Sequence, residues 1–217
     1  MLKLNTNAKL GEYPIEDLIP IFEVSIDNLP DDDFIINGIN WEYNRESGQK
    51  RLGWPVNEVK STNNLLIQHI FNEINDENIF KLFDNIKELN NTALEYWGYD
   101  WSKPFANFSK NIQIINSIIR DTTEIKYNPH FDCRQTFATM IINLVDNETS
   151  TQFFDFRNKN ELMYTSPTKK GQGVLWINSE FTLHGNSFDV ENPSSNFGII
   201  RNRFRYALLT TFMIPLK

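Results

Sequence analysis

The sequence predicts a mainly β protein: a double-stranded β-helix of the jelly-roll or cupin kind, buttressed by two N-terminal helices. Three observations carry that expectation. From residue 112 to residue 214 the chain breaks into seven or eight short strand-like runs separated by turn residues. Ahead of them, two stretches repeat apolar residues at helical spacing. The order, helices first and strands after, lets the helices cover one sheet.

The first 60 residues read as loops and short strands. Residues 19–26 alternate enough for an edge strand entered through Pro20. Leu29-Pro30-Asp31-Asp32-Asp33 is a turn or a helix start. The polar, glycine-punctuated stretch 44–55 holds Arg45, Lys50, Arg51 and Trp54 and reads as a surface loop. The first helix spans 63–75, with Leu65, Leu66, His69, Ile70 and Ile74 on one face. Asp76 caps the second, whose stripe runs from Ile79 through Phe83 and Leu89 to Trp97, and Gly98 ends it. Strands are expected over 112–119, 123–127, 136–145, 152–157, 162–165, 173–177, 181–186 and 204–214. The stretch 187–202, with Pro193 and Gly198, reads as a loop over the barrel mouth. The organisation is one domain over 1–217: N-terminal strands, loops and helices over 1–111, and the β core over 112–217.

Composition narrows the setting. A chain of 217 residues and 25.5 kDa is long enough to bury one sizeable core. Hydrophobic residues at 40% and aromatics at 13% exclude a disordered chain. A formal net charge of −7 argues against binding nucleic acid through phosphate contacts. The single cysteine, Cys133, allows no internal disulfide and fits a reducing compartment. The start resembles no signal peptide, and no apolar run reaches the ~18 residues that span a bilayer. The expectation is a cytoplasmic protein without a membrane partner.

The chemistry centres on Tyr127-Asn128-Pro129-His130-Phe131-Asp132. In extended backbone, residues two apart share a side, so His130 and Asp132 can reach one point. An imidazole and a carboxylate are two members of the 2-His-1-carboxylate triad that holds non-haem Fe(II) with open positions. Only His69 and His184 remain as the third. His69 lies on the apolar side of a helix, where a packed ring with its nitrogens satisfied is the usual state. His184 follows an apolar strand and a polar turn, in Gly173-Val174-Leu175-Trp176-Ile177-Asn178-Ser179-Glu180-Phe181-Thr182-Leu183-His184. Behind it runs Arg205-Tyr206-Ala207-Leu208-Leu209-Thr210-Thr211-Phe212.

In this order, these residues resemble the Fe(II)/2-oxoglutarate-dependent dioxygenase family, most closely its prolyl-hydroxylase-like branch, over roughly 112–214. The resemblance implies Fe(II) held by His130, Asp132 and His184, with 2-oxoglutarate and O2 taking the three open positions. Fe(II) with one ligand carboxylate carries net charge +1, which favours the anionic keto acid. The distal carboxylate of 2-oxoglutarate calls for a guanidinium. The family's arginine opens the Arg-Tyr-Ala-Leu strand, which points to Arg205; Arg203 takes the role if the strand begins earlier. Tyr127 matches an active-site tyrosine of the branch. Asn143 falls where relatives place a tyrosine that bonds the distal carboxylate. The family's Gly-Gly-x-Thr before the middle strand is replaced by Glu148-Thr149-Ser150-Thr151.

The implied reaction is hydroxylation of a C–H bond with decarboxylation of 2-oxoglutarate to succinate and CO2. Halogenating relatives lack the carboxylate that Asp132 supplies. The leading substrate is a peptidyl side chain such as proline, with a free amino acid or other small metabolite as the alternative. Two further readings are a non-catalytic cupin-like binding module and a zinc hydrolase using the same three ligands. The sequence gives no indication of oligomeric state.

Overall fold

The computed structural model describes residues 2–7, 21–37, 51–55, 68–69, 72–75, 77–79, 81–84, 113–122, 127–158, 161–178, 182–186 and 204–213. In chain order its elements are β1 (Leu2–Asn7), β2 (Ile21–Ile26), α1 (Asp32–Asn37), β3 (Arg51–Pro55), β4 (Gln113–Thr122), β5 (Tyr127–His130), β6 (Thr136–Asn143), β7 (Gln152–Phe154), β8 (Leu162–Thr165), β9 (Gln172–Ile177), β10 (His184–Asn186) and β11 (Phe204–Met213). They form two antiparallel sheets. The large one runs β1-β2-β9-β6-β11-β4-β3 and the small one β5-β10-β7-β8. This mostly β arrangement is compatible with a jelly roll.

Strand β6 shows why the large sheet holds together. All eight of its residues are buried, so it is covered on both faces, and its sequence TFATMIIN is accordingly apolar or β-branched almost throughout. β9 and β11 flank it in register, with Ile141 opposite Val174 and Leu209. Alternate side chains then build two cores. The outer one gathers Phe22, Val24, Met140, Ile142, Leu175, Leu208 and Phe212. The inner one gathers Ile21, Ile119, Ile141, Phe153, Val174, Trp176 and Ala207, so both sheets contribute to it.

Several expectations shift. Residues 19–26 were expected as an edge strand, but β2 pairs with both β1 and β9, because β1 covers its outer side. Residues 51–55, expected within a loop, form β3 on β4, where Pro55 is tolerated because β3 is an edge strand. Of the strand expected over 123–127, residues 123–126 lie outside the described residues; Tyr127 opens β5, which carries the first histidine itself. Asp32 and Asp33 open α1, which suits acidic groups at a helix N-terminus. The helices expected over 63–75 and 76–97 fall mostly outside the described residues. Within them 68–69, 72–73, 77–79 and 81–84 are helical, and Ile74, Ile79, Leu82 and Phe83 are buried in the outer core. No helix among the described residues is long and apolar enough to cross a membrane.

Candidate metal centre

β10 is the hinge of the site. It lies inside the small sheet, with His184 opposite His130 of β5 on one side and Phe153 of β7 on the other. β5 is an edge strand, which accommodates Pro129 just ahead of the histidine. Cross-strand pairing brings the His130 and His184 rings to 4.6 Å between centroids. Asp132 lies just beyond the end of β5, so alternation alone does not aim it. Its turn is held by the Asn178 side-chain amide, placed against the carbonyls of Cys133 and Thr136 at 3.1 Å each. The ligand atoms of His130, Asp132 and His184 all lie within 4.8 Å of one another.

Each candidate ligand has its second polar atom occupied. His130 Nδ1 is 2.8 Å from the Asn128 carbonyl and His184 Nδ1 is 2.9 Å from the Thr182 carbonyl. Only an N–H can bond a carbonyl, so both rings carry a proton on Nδ1, and in the neutral ring Nε2 is then the nitrogen able to coordinate. Asp132 Oδ2 accepts from Thr139 Oγ1 at 2.8 Å and from the Trp176 indole at 3.1 Å. Its Oδ1 then faces His184 Nε2 at 3.7 Å, too long for a hydrogen bond and suited to two ligands around one ion. Burial pushes the pKa of His184 below its ordinary value, against the pull of Asp132, which favours the neutral ring that coordinates metal.

Arg205 opens β11 and is buried. It shares a face with Ala207 of the inner core, and its Nη2 donates to Thr151 Oγ1 at 3.2 Å. Thr151 precedes Phe153, the residue opposite His184, by two positions. The guanidinium therefore meets the small sheet about 7 Å along from the histidine row, a span suited to a five-carbon dicarboxylate. The Thr149 hydroxyl, two residues before Thr151, is buried with no hydrogen-bond partner among the described residues, which adds a donor to that end of the interior.

The remaining expectations separate. Asn143 is not available to a cosubstrate. Its Nδ2 donates to the carbonyls of Pro167 and Gln172 at 2.8 and 2.9 Å, and its Oδ1 accepts from Asn147 at 2.9 Å. It pins the turn between β8 and β9. Tyr127 begins β5 opposite Asn186, but its side chain lies outside what is described. Arg203 and the loop expected over 187–202 also lie outside the described residues. His69 is spent as expected, with Nε2 3.0 Å from the Asp27 carbonyl. Thr139, Trp176 and Thr151 were missed. Their only sequence signal is position: hydroxyl or indole side chains on the inner-facing phase of strands that border the ligands.

No family model matches the sequence, and no curated protein matches it significantly. Solved structures do match. A candidate oxygenase from Shewanella oneidensis superposes with a TM-score of 0.53 at 14% identity, covering 98% of this chain and 90% of its own. An oxidoreductase of the 2OG-Fe(II) oxygenase family from Burkholderia pseudomallei gives 0.51 at 10% identity, over 97% and 95%. The dioxygenase for auxin oxidation 1 from Arabidopsis thaliana, bound to 2-oxoglutarate, gives 0.51 at 9% identity, over 92% and 85%. At these identities the likeness is one of fold: the chain shares the architecture found in 2OG-Fe(II) oxygenases.

Proposed function

We propose that this protein is an Fe(II)/2-oxoglutarate-dependent oxygenase that hydroxylates a C–H bond of its substrate, with 2-oxoglutarate converted to succinate and CO2. The observation that carries the reading is the convergence of His130, Asp132 and His184, whose ligand atoms lie within 4.8 Å of one another while a second polar atom of each is engaged by the chain. Two neutral nitrogens and one carboxylate suit Fe(II) and leave coordination positions open. Bound there, the iron supplies the activation of O2 that no side chain can provide.

The chain's own residues do the holding. Thr139 and Trp176 fix the Asp132 carboxylate so that one oxygen is directed to the metal. Arg205, with the Thr151 hydroxyl on it, would take the distal carboxylate of 2-oxoglutarate as a charge-assisted pair. The inner wall of Phe153, Trp176 and Val174 keeps water from that space. For the substrate, the family resemblance favours a peptidyl side chain such as proline, with a free amino acid or small metabolite as the alternative.

The test is direct. Anaerobic titration should show one Fe(II) per chain, and the loaded protein should form succinate from 2-oxoglutarate in air. A protein that binds Zn(II) but yields no succinate with any peptide or amino acid offered would overturn the reading.

A further inference from the structure

Strand β2 alternates between two environments. Phe22, Val24 and Ile26 are buried in the outer core, while Ile21 is buried in the inner one beside Val174 and Trp176. Period two puts Glu23 on the inner face with Ile21, and it stands opposite Val174 of β9. Val174 is two residues from Trp176, whose indole holds Asp132. Glu23 is therefore one step, about 7 Å, along the same wall from the metal-facing tryptophan. A carboxylate in such surroundings loses hydration and needs partners in return.

One partner is present. Tyr164 of β8 donates its hydroxyl to Glu23 Oε1 at 2.7 Å, reaching from the small sheet to the large one. Burial, and then the Glu23 carboxylate, push the Tyr164 phenol far above its ordinary value, so it stays a donor. This is the only side-chain hydrogen bond of Glu23 among the described residues, and the residue is only partly buried. Among the described residues no donor reaches its second oxygen. Around it the wall is aromatic: Tyr164 packs on Phe153 with centroids 6.0 Å apart, and Phe153 on Trp176 and His184 at 5.5 and 5.9 Å.

We infer that Glu23, oriented by Tyr164, is a specificity-determining residue that binds a protonated amine of the substrate, on a molecule whose apolar body lies against the partly exposed Tyr164 ring. A carboxylate and aromatic faces both favour a cation, and an anionic substrate would be repelled. Of the two substrate classes above, this selects a free amine or amino acid over an interior peptidyl proline, which carries no ammonium. The inference rests on the oxygenase reading for the reaction, but not for the binding.

The test titrates n-hexylamine, n-hexanol and hexanoate into the whole protein, by calorimetry and tryptophan fluorescence. It is done once metal-free and once with Fe(II) and 2-oxoglutarate under anaerobic conditions. The amine should bind at least about 10-fold more tightly than the alcohol in both, with hexanoate weakest. Glu23→Gln should bring amine and alcohol level while leaving 2-oxoglutarate binding unchanged. Glu23→Asp, which keeps the charge, should retain part of the preference and decides the matter if Glu23→Gln does not fold. Equal binding of amine and alcohol by the unsubstituted protein, or a preference that survives Glu23→Gln, overturns the assignment. An amine preference in a protein that binds neither Fe(II) nor 2-oxoglutarate would overturn the oxygenase reading and leave this one standing.

Discussion

The two faces of the large sheet are built from the same strands yet do different work. On the outer face, Phe22, Val24, Met140, Ile142, Leu175, Leu208 and Phe212 meet buried helical residues such as Ile79 and Phe83, with Phe83 edge-on to Phe212 at 5.1 Å. One polar pair interrupts that set: Thr210, buried between Leu208 and Phe212 along β11, donates to Asn116 Oδ1 at 2.7 Å. On the inner face the neighbouring residues along the same strands include Glu23, Thr139, Asn143, Trp176 and Arg205, set among Ile21, Ile141, Val174 and Ala207. These polar groups reach across to the small sheet, to the Asp132 turn or to the turn between β8 and β9. One face is held by dispersion and water exclusion, and the other by directed bonds between sheets. Stability and chemistry should therefore separate under mutation.

The largest effect should come from the ligands themselves. His130→Ala, Asp132→Ala or His184→Ala each leaves two donors for the ion, and Asp132→Ala also removes the neutralising charge. Fe(II) binding and succinate formation should be lost, while the melting temperature of the metal-free protein stays within a few degrees. A variant that still binds Fe(II) stoichiometrically would break the comparison on the inner face.

On the outer face, Phe212→Ala should lower unfolding free energy by about 3–5 kcal/mol, through lost transfer energy and the cavity left behind. The fraction that stays folded should bind Fe(II) as tightly as before. Urea denaturation followed by metal titration reads both.

Arg205→Ala should raise the 2-oxoglutarate requirement by at least about 10-fold, since it removes a charge-assisted bond worth roughly 1.5–3 kcal/mol. Fe(II) affinity should be unchanged. Lysine there should rescue only in part, because it keeps the charge without the fork. Arg203→Ala is the control, and a larger effect from it would move the role to Arg203.

Thr139→Val keeps shape and removes one of the two donors to Asp132 Oδ2. Loss of such an orienting bond weakens metal affinity by about 10-fold or more, with little change in melting temperature.

The smallest effect lies at the rim of the small sheet. Arg157 forks onto Asp155 at 2.7 and 3.0 Å, and those bonds hold the Asp155 carboxyl at about 2. A depressed carboxyl contributes stability that is present above its ordinary value of 3.8 and is lost as pH falls through about 2. Thermal melts should show that loss between about pH 4 and pH 2. Arg157→Ala should flatten it, and should cost about 1 kcal/mol at neutral pH because the arginine is largely exposed.

By itself the sequence determined what local pattern can encode. Alternation marked the strands of the β core to within a few residues at most boundaries. The scarcity of histidine limited the third ligand to two candidates, and the helical setting of His69 set one aside. The sequence also put Arg205 at the start of a strand. Tertiary structure decided which side chains meet. β2 is interior because β1, at the very start of the described chain, covers its edge. Asp132 is aimed by Asn178, Thr139 and Trp176, which lie 7 to 46 positions away along the chain. Asn143, suited by type and strand to bind a carboxylate, instead has both its amide hydrogens taken by the Pro167 and Gln172 carbonyls, because the turn between β8 and β9 folds onto it. The physical reason is the same in each case. A side chain's intrinsic chemistry is local, but which of its donors and acceptors remain for a ligand depends on what the rest of the fold has already brought within about 3 Å.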